Sequence, residues 1–205
     1  MIHPVQMAFK IQGRAFRDVW QELWTILIVQ LLFLLGQLLI FLGPPATLAM
    51  FYYGNRIAHS ELATERDFLH AIRQYWMPAW RWAGLNLLVI GLLAGDYFLT
   101  GKWIAKPELI AFLQGLYAVL LTFWLVLQVF ALPFLFEQEQ PSILQALRNA
   151  TVFIRRNFVF VSVLSLLLLI SLAFGMLAFM LTLVFGTALV AFTGNHAVLE
   201  SLEVS

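Results

Sequence analysis

Long apolar runs separated by short polar segments dominate the pattern of the chain. Spanning a bilayer takes about 20 apolar residues, and three runs reach that length: Leu23–Leu42, Trp82–Thr100 and Leu109–Phe136. A fourth run, Phe158–Phe192, would be about 50 Å long as one straight helix, whereas a hydrocarbon core is about 30 Å thick. Gly175 lies near its middle. The pattern leaves two alternatives for this run, a tight hairpin that breaks at Gly175 or one long tilted helix.

The segment after the first run, "GPPATLAMFYYGNRIA", is short for a spanning helix. Its course can be judged by charge, because Lys and Arg concentrate on the cytoplasmic side of membrane proteins. If the segment carries the chain back, only Lys102 and Lys106 lie opposite the other ten basic residues, whereas without it the division is five to seven. We therefore predict a short second helix that starts after a reversal at Gly43, with Pro44 or Pro45 in its first turn.

These runs predict an all-α, polytopic membrane protein that forms a single domain over residues 1–205. About six transmembrane helices are expected, arranged as three hairpins near residues 20–58, 80–136 and 157–194. Each hairpin is expected to follow an amphipathic helix that lies in the inner interface, near residues 8–19, 64–76 and 141–155. The expected location is the bacterial cytoplasmic (inner) membrane, with both termini in the cytoplasm.

Helical spacing of apolar residues defines the amphipathic segments. In "TERDFLHAIRQYW" the apolar face comprises Phe68, Ile72 and Tyr75, and Thr64 with Asp67 forms a capping signature. In "PSILQALRNATVFIRR" the apolar face has four members: Ile143, Leu147, Ala150 and Ile154. The segments "FLHAIR" and "ILQALR" match in pattern, and "AFRDVWQELW" is a looser third copy.

Composition supports a lipid environment. Hydrophobic residues make up 62% of the 205 residues and charged residues only 11%, whereas a soluble domain has about a quarter charged residues. The net charge of +1 argues against nucleic-acid binding. The sequence contains no cysteine, which excludes disulfides, thiolate metal sites and cysteine nucleophiles.

Amide side chains inside the apolar runs are the main candidate ligands, because polar groups are costly in a bilayer. They are Gln30, Gln37, Asn86, Gln114 and Gln128. One interpretation is a polar path for a solute between the hairpins. The other is hydrogen bonding between helices, worth about 0.6 kcal/mol per contact. We favour the second, because amides without a buried charge make a poor relay.

Two further candidate sites involve charge. The short-helix start, which comprises Gly43, Pro44, Pro45 and Thr47, points unpaired N–H groups into the outer bilayer, where they would receive an anion or only form a capped turn. The three arginines Arg148, Arg155 and Arg156 are candidates for anionic lipid headgroups, or they set topology alone. The carboxylates Glu137 and Glu139 are expected to be solvated or paired with Arg155 or Arg156.

No motif indicates catalysis. The four histidines, His3, His59, His70 and His196, have no shared spacing, so no metal site and no cofactor are predicted, although a tetrapyrrole bound by one of them is left open. The chain contains no P-loop, no G-x-G-x-x-G and no G-x-S-x-G pattern. We therefore expect no enzyme activity and no nucleotide binding.

Three stretches resemble a known family: "GPPATLAMFYYGNRIA", "RDFLHAIRQYW" and "LPFLFEQEQPSILQALRNATVFIRRNF". Together they are similar to the YesL-like family of small bacterial integral membrane proteins, over nearly the whole chain and most specifically over Gly43–Arg56 and Leu132–Phe158. The doubled proline at Pro44–Pro45 departs from the family's Gly-Pro-Ala-Thr start. The resemblance implies an inner-membrane protein, in a family often linked with carbohydrate-uptake genes, and it supplies no catalytic or ligand residues.

The expected function is that of a non-catalytic accessory or scaffold subunit of a larger inner-membrane assembly. Its expected partners are membrane lipids and other integral membrane subunits. The alternative is a small-solute transporter or channel, for example one linked to carbohydrate uptake.

Overall fold

The computed structural model describes the backbone of residues 3–104, 106–177 and 179–204, with their side chains except those of 175–185 and 203–204. These residues form nine α-helices and no strand, which confirms the all-α class. The helices are α1 (Pro4–Gln21), α2 (Leu23–Leu38), α3 (Gly43–Ala58), α4 (Glu65–Gln74), α5 (Trp76–Trp103), α6 (Pro107–Phe136), α7 (Ile143–Arg156), α8 (Phe158–Leu177) and α9 (Phe179–Val204).

The three amphipathic segments are helical, as predicted, and each leads directly into an apolar helix. α1 meets α2 at an angle of 91°, and α7 meets the start of α8 at 103°. α4 carries the predicted capping box, in which the Thr64 side chain accepts from the Asp67 backbone while Asp67 accepts from the Thr64 backbone. The predicted apolar face of α4 is also confirmed, since Phe68 and Tyr75 are buried.

The first hairpin turns earlier than its hydropathy indicates. α2 ends at Leu38 rather than Leu42, because Leu39 leaves the helical region and the amide of Leu42 bonds to the Leu39 carbonyl at 2.6 Å. Four apolar residues thus form the turn, where hydropathy gives no sign of a helix end. α3 begins at Gly43 with a proline in its first two positions, as predicted.

Two helices, α5 and α6, are each long and apolar enough to cross a membrane. The bent pairs α1–α2 and α7–α8 also pass if each pair is taken as one span, which gives up to four among the described residues. α2 and α3 have 16 residues each, or about 24 Å of helix. The described residues therefore contain two to four candidate membrane-spanning helices, while the six crossings stay a prediction.

The fourth apolar run reverses direction. Gln12 of α1 bonds to Ser171 of α8 at 3.2 Å and to Thr193 of α9 at 3.4 Å. One straight helix would separate residues 171 and 193 by about 33 Å, so the one-helix alternative is wrong. α8 continues through Gly175 to Leu177, and the junction at position 178 lies outside the described residues.

The core is organised around α9, which packs against α1, α2, α3, α6 and α8. Small residues allow the close approaches. A Cβ added to Gly54 would lie 3.2 Å from the Ala191 Cβ, and one added to Gly194 would lie 2.6 Å from the Val129 carbonyl oxygen. Close contact through small residues is how membrane helices gain van der Waals packing where apolar burial drives little.

Candidate functional site

The short-helix start is a closed hydrogen-bonded turn. The Gln37 side-chain amide donates to the Gly43 carbonyl at 3.1 Å and to the Thr47 hydroxyl at 3.0 Å, and the Thr47 hydroxyl donates to the same carbonyl at 3.0 Å. Pro45 is buried and Pro44 is half-buried. These bonds go to the Gly43 carbonyl, and no side chain among the described residues caps an N–H group of α3. The prediction of unpaired N–H groups is wrong, because Pro44 and Pro45 have no N–H and the N–H groups of Gly43 and Ala46 bond to the carbonyls of Ile40 and Leu42.

The other amides lie on two different hairpins. Gln30 is buried on α2, which packs mainly on α3, α9 and α4. Asn86, Gln114 and Gln128 lie on α5 and α6. The bonds of Gln37 stay within the first hairpin, and those of the latter three stay within the second.

Polar bonds link α5 to α6 across the second hairpin. The indole of Trp82 donates to Gln128 at 2.8 Å, and the indole of Trp124 donates to Asn86 at 2.9 Å. Gln114 donates to the Tyr97 carbonyl at 3.2 Å. These contacts correspond to the hydrogen-bonding interpretation of the amides, and the transport alternative stays a prediction.

The second hairpin, α5 and α6, is largely unpacked in the part that lies away from the core. Only 11% of the apolar stretch of α5 that is long enough to span a membrane is buried, against 44% of the corresponding stretch of α6. The buried residues of α6 begin at Leu127, near its end, and those of α5 near the core are Ala79 and Ala83. The hairpin is therefore attached to the core by its inner end and presents apolar side chains beyond it.

One face of this exposed hairpin is made of glycines. Gly84, Gly91 and Gly95 recur at helical spacing on α5, and a Cβ added at any of them would meet nothing within 4 Å. Exposed leucines flank them on opposite sides: Leu87 and Leu88. Sequence reasoning missed this face, although "GLLAG" carries the G-x-x-x-G signal of membrane helix packing. We call Gly84, Gly91 and Gly95 the glycine face.

The arginines of α7 lie on its exposed side. Arg148, Arg155 and Arg156 are all exposed, and none of them makes an ion pair with a residue that the structure describes. Arg155 lines a groove of about 330 Å³ between α6, α7 and α8. Arg148 lines a separate depression with Ser142 and Gln145.

The expected pairing of Glu137 with Arg155 or Arg156 is wrong. Glu137 instead accepts from Asn55 at 2.6 Å and lies 3.0 Å from the His59 ring nitrogen. The reason is that the end of α6 packs beside the end of α3, whereas the arginines of α7 face away from it. Glu139 is exposed, as expected.

A second polar group joins the end of α3 to α4. Arg56 contacts Asp67 at 2.5 Å and Glu61 at 3.0 Å. Burial alone would raise the pKa of Asp67, but hydrogen bonds from Thr64 and the positive charge of Arg56 lower it below its usual value. The Asp67 carboxylate therefore holds α4 to α3 in its ionised form.

A third polar group joins α1 to α9. Glu200 accepts from Lys10 at 3.1 Å and from Arg14 at 2.7 Å, and Asp18 contacts His196 at 2.5 Å. The two cations outweigh the effect of burial and lower the pKa of Glu200. α1 is therefore held against the protein along its length, which its amphipathic pattern did not reveal.

The histidines lie apart from one another. His3 caps α1, His59 contacts Glu137 and His196 contacts Asp18, while His70 is exposed on α4. Within the described ranges, no three His, Asp or Glu side chains come together as a metal site. No single histidine is distinguished as a ligand, so the tetrapyrrole question stays open.

Comparison of the whole chain with models of protein families, with curated proteins and with solved structures finds no match in any of the three.

Proposed function

We propose that this protein is a non-catalytic subunit of a larger assembly in the bacterial cytoplasmic membrane, and that α5 docks there against a helix of another membrane subunit. The observation that carries this proposal is the glycine face, which packs against nothing in the part of the chain that the structure describes. Glycine within a helix costs about 0.5–1 kcal/mol relative to alanine, so three of them on one exposed face need a reason outside the chain.

A partner helix supplies that reason. In lipid, helices associate through small residues that let two backbones approach closely, and the G-x-x-x-G spacing of Gly91 and Gly95 is typical of such contacts. Lipid alone has no need of glycine, because leucine is equally compatible with acyl chains. The flanking Leu87 and Leu88, which are 72% and 59% exposed, would pack on either side of the partner.

The proposal also includes six membrane crossings with both termini in the cytoplasm. It assigns no catalytic role, because the sequence carries no catalytic motif. The resemblance to the YesL-like family over Gly43–Arg56 and Leu132–Phe158 supports the inner-membrane location. A role beside a carbohydrate-uptake system is one form that this assembly would take.

The proposal is tested by purifying the protein in mild detergent with its membrane partners and measuring their stoichiometry by mass spectrometry. We expect a partner in fixed ratio, and we expect Gly91→Leu with Gly95→Leu to reduce its recovery at least tenfold. Gly115→Leu on α6 is the matched control, because a side chain there also meets nothing within 4 Å.

Three results would overturn the proposal. The first is a wild-type protein that purifies without any stoichiometric subunit. The second is equal loss of the partner in the control variant, which would mean that bulk on the hairpin rather than the glycine face matters. The third is a second copy of this chain as the only stoichiometric component, which would replace the accessory role by self-association.

A further inference from the structure

We infer that the groove between α6, α7 and α8 binds one anionic phospholipid, with an acyl chain in the groove and the phosphate at Arg155. This site is separate from the glycine face, which lies on α5, so the inference does not depend on the proposed function. It rests on the shape, lining and charge of the groove.

The groove is an apolar channel beneath an amphipathic helix. Its volume is about 330 Å³, and its walls are mainly Phe123 and Val126 of α6, Ile154 of α7, and Phe158 and Val161 of α8. Phe123 and Phe158 are exposed at its mouth. α7 turns into α8 at 103°, and the groove lies where these two helices meet α6. An acyl chain fits this lining.

One residue of the groove lining is positively charged. Arg155 belongs to its lining, and Arg156 follows directly. Neither guanidinium makes an ion pair within the described ranges. α8 starts at the same corner, at Phe158, and the first N–H groups of a helix lack internal partners and attract anions. A phosphate would satisfy both sets of donors.

The arginine and the apolar lining together favour a phospholipid as the ligand. Arginine pairs with phosphate through two parallel hydrogen bonds, and a free anion would have no use for the apolar channel. A protein partner would need a broad surface, whereas this groove is narrow and confined to three helices. An anionic phospholipid has a phosphate and a chain in the required order.

The test is native mass spectrometry of the delipidated protein in detergent with added phosphatidylglycerol or phosphatidylcholine of the same acyl chains. We expect preferential retention of phosphatidylglycerol. Arg155→Gln should reduce it by about fivefold, the effect of one basic residue at an anionic lipid surface. Ser162→Phe, at an exposed position of the groove lining, should reduce retention of both lipids by filling the channel.

Arg73→Gln is the matched control, since Arg73 lies in the last turn of α4 as Arg155 lies in that of α7. Its retention of phosphatidylglycerol should equal that of the wild type. Equal retention of the two lipids by the wild type, or an equal loss in Arg73→Gln and Arg155→Gln, would contradict a specific site. Normal helix content by circular dichroism in Arg155→Gln keeps the result interpretable if Ser162→Phe fails to fold.

Discussion

Gly194 lies at a close approach of α9 to α6. Pro133 has no N–H to bond the carbonyl four residues earlier, which is that of Val129, and the backbone of Gly194 lies directly against this carbonyl. A proline that frees a backbone acceptor and a glycine that lets another helix cover it therefore act together.

We expect Gly194→Ala to destabilise the fold by about 1–3 kcal/mol, the usual effect of overpacking, because the new Cβ would lie 2.6 Å from the Val129 oxygen. Unfolding in mixed detergent micelles, followed by circular dichroism, measures this. Gly13→Ala on α1 should change stability in the opposite direction, by about 0.5–1 kcal/mol, since nothing lies within 4 Å of its added Cβ. Equal effects of the two substitutions would show that the α6–α9 contact is looser than described.

Asp67 makes stability depend on pH in the acid range. Its folded pKa is lower than its unfolded value of about 3.9, so its contribution is present above that value and is lost as pH falls through the folded pKa. We expect Asp67→Asn to cost about 1 kcal/mol at pH 7, as for a lost helix cap, and the gap to the wild type to shrink below pH of about 4. Thermal midpoints of both proteins at several pH values test this, with Glu65→Gln of the same helix as control. A gap that persists unchanged at low pH would contradict the ionic contribution.

At the scale of the element, the amphipathic helices were predictable because their periodicity and caps are local signals. The capping pair Thr64 and Asp67 is an example. Whether the apolar face of such a helix packs on lipid or on other helices was not predictable in the same way. The pattern of α1 indicates an interfacial helix, yet it packs on α8 and α9 and buries Gln12 and Asp18. Partners of those polar residues lie more than 150 positions away in the chain, so no local pattern reports them.

The turn between α2 and α3 and the groove between α6, α7 and α8 could not be predicted from the sequence, for related reasons. Hydropathy continues through Leu39–Leu42, although these residues form the turn between α2 and α3. The groove joins residues of α6, α7 and α8, and the bend between α7 and α8 brings Arg155 into its lining. The glycine face is the converse case, because its spacing is visible in the sequence but its exposure is visible only in the fold.

The hydrogen bonds between α5 and α6 allow the two interpretations of the amide residues, bonding between helices or a path for a solute, to be tested in the second hairpin. Asn86 donates to the Trp82 carbonyl and accepts from the Trp124 indole, both at 2.9 Å. The bond from Trp124 joins two helices and is worth about 0.6 kcal/mol, whereas the bond to Trp82 lies within α5. Because Asn86→Leu also leaves the Trp124 indole N–H without this acceptor, stability should fall by about 1 kcal/mol in the same micelle titration. Gln114→Leu, which removes one bond of 3.2 Å, should have about half that effect or less. Solute flux in liposomes that is abolished by Asn86→Leu without loss of stability would favour the transport alternative instead.

At the scale of the whole molecule, the three hairpins have unequal roles. The first and third pack together around α9, and polar groups at Arg56 and Glu200 fasten α4 and α1 to them. The second hairpin joins this core by its inner end and extends beyond it. The first and third hairpins therefore pack against each other, whereas the far part of the second hairpin is largely unpacked. This division is expected of a subunit that binds an external partner.

The depth of the first hairpin decides how many times the chain crosses the membrane. α2 and α3, at about 24 Å each, are shorter than a hydrocarbon core of about 30 Å, and a short hairpin crosses only if the bilayer thins around it. We expect that it does cross, because the four apolar turn residues Leu39–Leu42 extend the apolar stretch beyond the 16 residues of α2. The chain has no native cysteine, so a membrane-impermeant thiol reagent on intact cells should label Ile40→Cys and Lys102→Cys and leave His59→Cys unmodified. Labelling of Lys102→Cys without Ile40→Cys would mean that α2 and α3 dip into the membrane and return, and the number of crossings would then fall to four or fewer.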